Sequence, residues 1–354
     1  MKKALKYLLS ATVLAVVGFC FAGCGRGEKT YEDEQGVVYS LKNNKYTVTS
    51  VKDKNATTFD IPESINGTPV TALANFVFAE NLNLKTVTLP DSLEDIGNYA
   101  FSYCPVDSIT LPQNLKFLGD GAFAGCALKE ITIPDGITQI EGHTFASNPL
   151  MTVNLPANLV SIGNQAFAEC EALQSITLPQ KVETIGDSAF SDCTSLSEVK
   201  LPSNLTSIGR KAFSGCSELL RVSTEGGNSQ YFSLPQTVTE IGDSAFMNCA
   251  KLKLVNVPDN VVTLGYKVFD QCTSVTAVTI GNKVETIADG AFGGCPITSL
   301  YLPVSLKEIG YGAFSLKDTS AIFYAGAEEQ WDKIAIGEHN GYLKKSNVTF
   351  NTAA

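Results

Sequence analysis

The chain has 354 residues, a formal charge of -10 at pH 7 and two histidines. An acidic chain repels nucleic acid and anionic membrane surfaces, so neither is an expected partner. No set of polar residues converges in the sequence as the acid, base and nucleophile of an enzyme do. We therefore expect neither catalysis nor a cofactor.

The chain begins with a segment typical of bacterial export. Three lysines, Lys2, Lys3 and Lys6, precede an uncharged apolar run over residues 7–22, which predicts a secretory signal peptide over residues 1–23. Removal of this segment takes away three positive charges and no acidic residue. The formal charge then moves from -10 to about -13, which strengthens the argument against anionic partners.

The export segment ends in Phe21-Ala22-Gly23-Cys24. Small residues directly before a cysteine resemble a lipobox, where the thiol is lipidated and the chain is cut just before it, although Phe21 departs from the usual aliphatic residue. We predict lipidation of Cys24 and a protein that is anchored to the membrane without spanning it. There are two alternatives: an ordinary signal peptide in which Cys24 is incidental, and a retained transmembrane helix.

Residues 24–35 are polar and lack apolar periodicity, which predicts a flexible tether. The acidic triplet at residues 32–34 is followed by no ligand spacing for calcium, so a metal site is not expected there.

The phrase Ala-Phe-x-x-Cys then recurs along most of the chain. Its phenylalanines follow one another at 22 or 23 residues, except for one interval of 33 residues: Phe78, Phe101, Phe123, Phe145, Phe167, Phe190, Phe213, Phe246, Phe269, Phe292 and Phe314. Such a period is typical of a stack of structural units and not of one globular core.

One unit, residues 170–192, shows how each repeat is built. Within residues 173–179, Ser175, Ile176, Thr177 and Leu178 alternate polar and apolar side chains, which predicts a short half-buried strand that ends at Pro179. A short extended piece, a turn at Gly186 and about one helical turn carrying Phe190 are expected to follow. Stacked units bury the apolar side of their neighbours, so the strands should be parallel, in register and about 4.8 Å apart.

Eight cysteines stand three residues after a phenylalanine: Cys104, Cys126, Cys170, Cys193, Cys216, Cys249, Cys272 and Cys295. The same position holds Asn81, Asn148 or Lys317 in other units, so we predict a ladder of small, buried, weakly polar side chains. Disulfides between stacked neighbours remain an alternative. Zinc is disfavoured because no pair has Cys-x-x-Cys spacing.

The pattern Leu-x-x-Ile-x-Leu-Pro followed by Leu-x-x-Ile-Gly-x-x-Ala-Phe-x-x-Cys resembles the BspA-like leucine-rich repeat. The resemblance covers about residues 60–317 in eleven copies, and residues 322–351 look like the closing segment common after such arrays. Residues 36–61 resemble the β-hairpin that opens them. The family implies display on the bacterial surface and adhesive binding, in some members to host matrix proteins or to other microbes.

These observations predict a solenoid of about eleven repeats with short parallel strands and short helical turns. Its parts are the signal peptide (1–23), the tether (24–35), an N-terminal cap (36–61), the solenoid (62–321) and a C-terminal cap (322–354). The sole tryptophan, Trp331, is expected to be buried in the C-terminal cap.

Two candidate binding regions stand out. The 33-residue interval between Phe213 and Phe246 contains an insertion, which we predict to be a binding loop. Its candidate binding residues are Thr224, Glu225, Asn228, Gln230, Tyr231 and Phe232. Tyr231 and Phe232 could equally pack down as a degenerate strand. Exposed strand positions and a small basic zone predict a binding face that contains Glu198, Lys200, Arg210, Lys211, Arg221 and Tyr301.

We therefore expect a monomeric, lipid-anchored protein on the outer side of a bacterial cell, which binds an extracellular protein or glycan. A structural surface spacer with no single ligand is the alternative. His143 lies at a variable repeat position and is expected to be exposed to solvent.

Overall fold

The computed structural model describes residues 29–224 and 232–351. The predicted signal peptide, the lipidation site Cys24 and residues 225–231 of the candidate loop lie outside this part of the chain. Within it, no helix has both the length and the apolar character needed to cross a membrane.

Three antiparallel strands open the described chain: β1 (Lys29–Glu32), β2 (Val37–Lys42) and β3 (Lys45–Val51). The β2–β3 turn uses Asn43 and Asn44 at φ 51° and 58°, as a two-residue hairpin requires. The tether predicted over residues 24–35 is wrong for residues 29–35. The Tyr31 ring packs 5.8 Å from that of buried Tyr39, which holds β1 against the cap.

Most repeats contribute their first strand to one face, which we call the strand row, although residues 104–112, at the equivalent position, form no strand. Paired neighbours in this row are parallel and in register, as in the pairing of Ile176 with Val199. The row consists of β4 (Thr58–Asp60), β7 (Thr86–Thr88), β10 (Glu130–Thr132), β12 (Thr152–Asn154), β14 (Ser175–Thr177), β16 (Glu198–Leu201), β18 (Arg221–Thr224), β20 (Leu254–Asn256), β22 (Ala277–Thr279), β24 (Ser299–Leu302), β26 (Ala321–Tyr324) and β28 (Val348–Thr349).

A second face, the short-strand row, is also parallel, and β3 of the opening hairpin extends it by pairing with β6. Its members are β6 (Thr68–Leu73), β8 (Asp95–Ile96), β9 (Phe117–Leu118), β11 (Gln139–Ile140), β13 (Ser161–Ile162), β15 (Thr184–Ile185), β17 (Ser207–Ile208), β19 (Glu240–Ile241), β21 (Thr263–Leu264), β23 (Thr286–Ile287), β25 (Glu308–Ile309) and β27 (Ala335–Ile336). β5 (Ser64–Ile65) forms an antiparallel hairpin with β6.

The third face, the turn row, holds the Ala-Phe-x-x-Cys phrase. Alternate backbone N–H groups donate to the next coil, as from Phe190 to Ala212 at 2.8 Å and from Ser188 to Arg210 at 2.7 Å. The helical turn predicted here is wrong. Ser188 and Asp192 have φ of 54° and 58°, and these left-handed residues break the helix. The N–H groups of Ser188, Phe190 and Asp192 therefore donate to the neighbouring coil, while those between them donate within their own coil.

A ladder of phenylalanine rings fills the centre of the solenoid. All eleven rings are buried, and successive rings are stacked with centroids 5.0–5.9 Å apart and interplanar angles of 3–18°. The rings of Phe123 and Phe145, for example, are 5.9 Å apart. The predicted in-register stack of coils is therefore confirmed.

The eight cysteines form a second ladder and are all free and buried. Each thiol donates to the carbonyl of the phenylalanine in the preceding coil at 3.0–3.3 Å. Asn148 occupies the same place and donates to the carbonyl of Phe123 at 2.7 Å. The prediction of interchangeable, weakly polar buried side chains is confirmed for the cysteines, Asn81 and Asn148, whereas Lys317 at the same position is exposed. The eight thiols are not in disulfides.

The closing segment continues the solenoid. It contains α1 (Glu328–Trp331) and a short 3-10 helix (Lys345–Asn347) between strands that extend both strand rows. Trp331 is 4% exposed and packs edge-on against Tyr324 at 5.3 Å, which confirms its predicted burial. Asn340 Oδ1 accepts the Phe314 N–H at 3.1 Å and so satisfies the last donor of the turn row.

Candidate binding surfaces

The turn row presents two columns of outward-facing side chains. One column lies two residues before each phenylalanine and the other two residues after it, and nearly all of these residues have positive φ. The residue directly after the phenylalanine is small in the first five coils. These residues are Ala79, Ser102, Ala124, Ala146 and Ala168. Two walls with a low floor between them therefore form a groove, which we call the turn-row groove.

The turn-row groove runs along the first five coils and has a volume of about 440 Å³. Its first wall is formed by Phe76, Tyr99, His143 and Gln165. Its second wall is formed by Glu80, Tyr103, Gly125, Ser147 and Glu169. This volume lies within the range typical of small-ligand sites, about 300–1,000 Å³.

Three aromatic residues dominate one end of the groove. Phe76 is 58% exposed, Tyr103 is 62% exposed, and Phe76 stacks on Tyr99 with centroids 5.3 Å apart and planes 7° from parallel. Exposed aromatic rings of this kind are frequent at binding sites, because they offer a large rigid contact area at low entropic cost.

The backbone makes these aromatic residues more informative. Phe76, Tyr99 and Tyr103 have φ of 59°, 54° and 58°, and in the described part of the chain no other Phe, Tyr or Trp has positive φ. A bulky side chain in the left-handed region is disfavoured, and other coils place Gly, Ser, Asn, Gln, His or charged residues such as Lys211 and Glu169 at these positions. Phe76 and Tyr103 are therefore exposed rings at backbone positions that disfavour them, and Tyr99 is the half-buried ring on which Phe76 stacks.

Two glycines make room for the tyrosine rings. Gly121 and Gly125 occupy the wall positions of the third coil, and a Cβ on either would collide with the ring of Tyr99 or Tyr103, respectively. The two tyrosine rings therefore lie over the third coil and fill the space that its wall side chains would otherwise take.

The polar groups of the groove both donate and accept hydrogen bonds. The Asp120 carboxylate beside the Tyr99 hydroxyl, together with partial burial, raises the pKa of Tyr99. His143 Nδ1 lies 3.4 Å from Asp120 Oδ1, and its side chain is 40% exposed, so the predicted exposure of His143 is only partial. The Ser147 hydroxyl donates to Glu169 Oε2 at 2.8 Å.

The structure brings together only part of the face predicted from the sequence. Glu198 and Lys200 on β16 lie beside Arg221 on β18, and Arg221 Nη1 is 3.5 Å from Glu198 Oε2. Arg210 and Lys211 follow β17 of the short-strand row, so they belong to a different face. The basic zone is therefore divided between faces, because residues close in sequence occupy different sides of a coil.

Tyr301 lies on β24 of the strand row. Its ring stacks on that of Phe323 in the next strand, with centroids 4.6 Å apart and planes 14° from parallel. Much of one ring face is therefore already covered, and Tyr301 is partly buried. The pairing is a cross-strand contact that stabilises the end of the array.

The structure corrects one residue of the predicted loop. Phe232 is 1% exposed, and its ring packs edge-on against Phe246 at 5.0 Å and Phe269 at 5.4 Å. It also forms a parallel bridge with Val222, so this end of the insertion packs down as a degenerate strand. Thr224 ends β18, and Glu225, Asn228, Gln230 and Tyr231 lie outside the described residues.

The buried thiols offer no nucleophile. Burial raises the pKa of Cys104 to about 11 and that of Cys170 to about 12, so both are protonated donors at neutral pH. In the described part of the chain, no group of three or more His, Cys, Asp and Glu side chains is placed to hold a metal ion.

Sequence comparison decides the family. Residues 50–123, 71–159, 144–232 and 225–320 match the family described as "BspA type Leucine rich repeat region (6 copies)". The chain belongs to this family. Solenoids of this kind are binding or scaffold proteins, and no catalytic family is indicated. A comparison with curated proteins gives no match.

Solved structures agree with this assignment. A leucine-rich repeat protein from Bacteroides ovatus is similar with 26% identity and a TM-score of 0.63, over 92% of this chain and 94% of that one. One from Eubacterium ventriosum gives 20% identity and a TM-score of 0.55, over 93% and 96% of the two chains. The pneumococcal vaccine antigen PcpA gives 19% identity and a TM-score of 0.50, over 93% of this chain and 98% of that one. The last two likenesses concern the fold alone.

The turn-row groove was not predicted from the sequence. The position of His143 and Tyr99 was interpreted as a variable one, and binding was expected on the strand row, in the small basic zone and in the insertion loop. Reading the two wall positions down the repeats would have shown aromatic residues only in the first two coils, with glycines in the third. That signal was present in the sequence, but its meaning depends on knowing that both columns face outward.

Proposed function

We propose that this chain is a lipid-anchored protein of the bacterial cell surface that binds an extracellular protein or glycan. The observation that carries the proposal is the cluster of exposed aromatic rings at the turn-row groove, held at backbone angles that suit other residues better. Family membership supports a binding or scaffold role and sets the context in which this cluster is interpreted.

The surface location rests on the export segment and on Cys24. A lipid attached to Cys24 buries acyl methylenes in the membrane, each contributing about 0.8 kcal/mol, and so retains the protein at the cell. The acidic charge of the chain keeps the solenoid away from anionic headgroups, leaving its faces open to partners.

Membrane anchoring is tested with Cys24→Ala in the native host. We expect the variant to appear in the culture medium and to lose incorporation of labelled palmitate, while the wild type stays in the membrane fraction. Retention of Cys24→Ala in the membrane would contradict the anchor.

Binding is tested with the purified chain from residue 25 onward on arrays of extracellular matrix proteins and glycans. A saturable ligand supports the proposal. A chain that binds nothing on either array supports the spacer, which is favoured only by the mostly Thr and Ser surface of the strand row.

A further inference from the structure

We infer that the turn-row groove is a binding site for a neutral saccharide. This inference rests on the proposed binding function and specifies its ligand. The groove combines the exposed ring faces of Tyr103 and Phe76 with hydroxyl, amide, imidazole and carboxylate groups along the same walls.

The aromatic rings suit the apolar face of a sugar. The C–H bonds on one side of a pyranose ring carry partial positive charge, and the face of an aromatic ring is electronegative. The rings of Tyr99 and Tyr103 occupy the space above Gly121 and Gly125, and Phe76 stacks on Tyr99. A sugar ring in the groove would therefore contact the exposed parts of Tyr103 and Phe76, with Tyr99 supporting Phe76.

The polar groups suit hydroxyls. Glu80 and Glu169 are acceptors, while Ser102 and Gln165 supply donors, and all four line the groove. A polyol uses donors and acceptors together, whereas a cation uses acceptors alone. Glu80 and Glu169 also disfavour sialylated or sulfated sugars through like-charge repulsion, as does the acidic chain as a whole.

The period of the coils favours a saccharide over an extended peptide. The phenylalanine rings beneath the groove floor repeat every 5.0–5.9 Å, close to the length of one pyranose residue in an extended chain. An extended peptide advances about 3.3 Å per residue and falls out of step with the coils. Each coil thus offers one small floor residue and two wall residues to one sugar.

The experiment uses an array of cello-, xylo-, manno- and chito-oligosaccharides and N-acetyllactosamine, with sialylated and sulfated glycans and a lysine-rich peptide as comparison probes. The strongest neutral binder is then titrated by calorimetry against the wild type, Tyr99→Asn and Tyr103→Asn. Asparagine tolerates positive φ better than tyrosine, which offsets part of the packing that Tyr99 loses against Phe76, so both variants should fold, and the Tm of each is measured beside its affinity.

Two variants outside the groove serve as controls. Gln271→Asn places asparagine at a left-handed wall position of a later coil, and Tyr266→Asn removes an aromatic ring that is 48% exposed. We expect binding to weaken about tenfold or more in Tyr99→Asn and Tyr103→Asn and to stay at the wild-type level in both controls.

Three results would overturn the inference and leave the proposed function standing. These are binding of sialylated or sulfated glycans or the lysine-rich peptide in preference to neutral sugars, equal saccharide binding by wild type and both groove variants, and binding of proteins but of no glycan. A wild type that binds neither proteins nor glycans would overturn both.

Discussion

Asn148 donates from Nδ2 to the carbonyl oxygen of Phe123 at 2.7 Å, which is the contact that a cysteine thiol makes in eight other coils. Its Oδ1 also accepts the backbone N–H of Leu128 at 3.1 Å. One buried amide thus satisfies two backbone groups of the preceding coil. This relationship explains why asparagine can replace cysteine at this repeat position.

The first prediction follows from that contact. Asn148→Ala leaves a buried carbonyl and a buried N–H without partners and should lower the free energy of unfolding by about 2–4 kcal/mol. Asn148→Cys restores a donor to Phe123 but not an acceptor for Leu128, so it should fall between Ala and the wild type. Urea unfolding monitored by circular dichroism gives the order of stability of the three proteins, and equal midpoints for the Ala and Cys variants would contradict the prediction.

The phenylalanine ladder should be costly to interrupt. Phe190→Ala removes a buried ring stacked on Phe167 at 5.4 Å and on Phe213 at 5.3 Å, so we expect a loss of about 3–5 kcal/mol. Phe117→Ala, at a ring that is 42% exposed, is the matched control and should cost under about 1 kcal/mol. Thermal unfolding of both variants checks this, and similar losses in the two would be inconsistent with the ladder.

Phe232 should behave as a core residue. Phe232→Ala removes edge-on contacts with Phe246 and Phe269 and is expected to lower stability by about 3 kcal/mol or more. If differential scanning calorimetry gave this variant the same Tm as the wild type, Phe232 would instead lie at the surface. Any ligand-binding assay of Phe232 variants therefore needs a Tm measurement beside it.

The buried thiols predict a loss of stability in alkali. The pKa of Cys104 is about 11 and that of Cys170 about 12, raised from 9.0 by burial. Above pH 9 the unfolded chain loses these protons while the folded chain keeps them. The free energy of unfolding therefore falls as pH rises from about 9 through the folded pKa, by about 1.4 kcal/mol per pH unit per thiol.

Urea midpoints between about pH 8 and pH 10.5 measure this slope. Cys170→Ser, which does not titrate in this range, should show a shallower slope than the wild type. A wild-type slope that Cys170→Ser leaves unchanged would assign the alkaline loss to other groups. Slow labelling of all eight thiols by iodoacetamide at neutral pH is the companion expectation.

Asn340 should hold the C-terminal end of the array in place. Its side chain accepts from the Phe314 N–H and donates to the carbonyls of Gly310 and Gly337. Asn340→Ala should fray the closing segment at a cost of about 2–3 kcal/mol, largely confined to that end.

The sole tryptophan makes this fraying observable. Trp331 is buried in the closing segment, so its emission should shift to longer wavelength at lower urea in Asn340→Ala than in the wild type. Coincident tryptophan and circular dichroism transitions with wild-type midpoints would show that Asn340 has no capping role. Asn347→Ala, at an exposed residue of the same segment, is the control.

The repeat predicted most of the fold because its apolar positions are local and recur. The alternation in residues 175–178 and the repeated phenylalanine predict burial of Ile176 and Phe190, and both are buried. The helical turn was predicted wrongly, because apolar residues three and four apart fit both a helix and a chain of turns. The positive φ of Ser188 and Asp192, which decides between them, leaves little trace in residue type.

The candidate site was the least predictable part. Arg210 and Arg221 are near in sequence, yet one follows the short-strand row and the other lies on the strand row. Phe76, Tyr99 and Tyr103 are up to 27 positions apart and yet border one groove. Distance along the chain is a poor guide because each coil returns to the same place only after a full repeat.

The sequence by itself determined the coil length, the buried columns and the exchange of cysteine for asparagine, because each depends on side-chain polarity at a fixed period. Only the tertiary structure decided which columns face outward on the turn row, that Phe232 turns inward, and that three aromatic rings meet at one groove. Those outcomes depend on left-handed backbone angles and on hydrogen bonds between coils, and both arise only when one coil is stacked on the next.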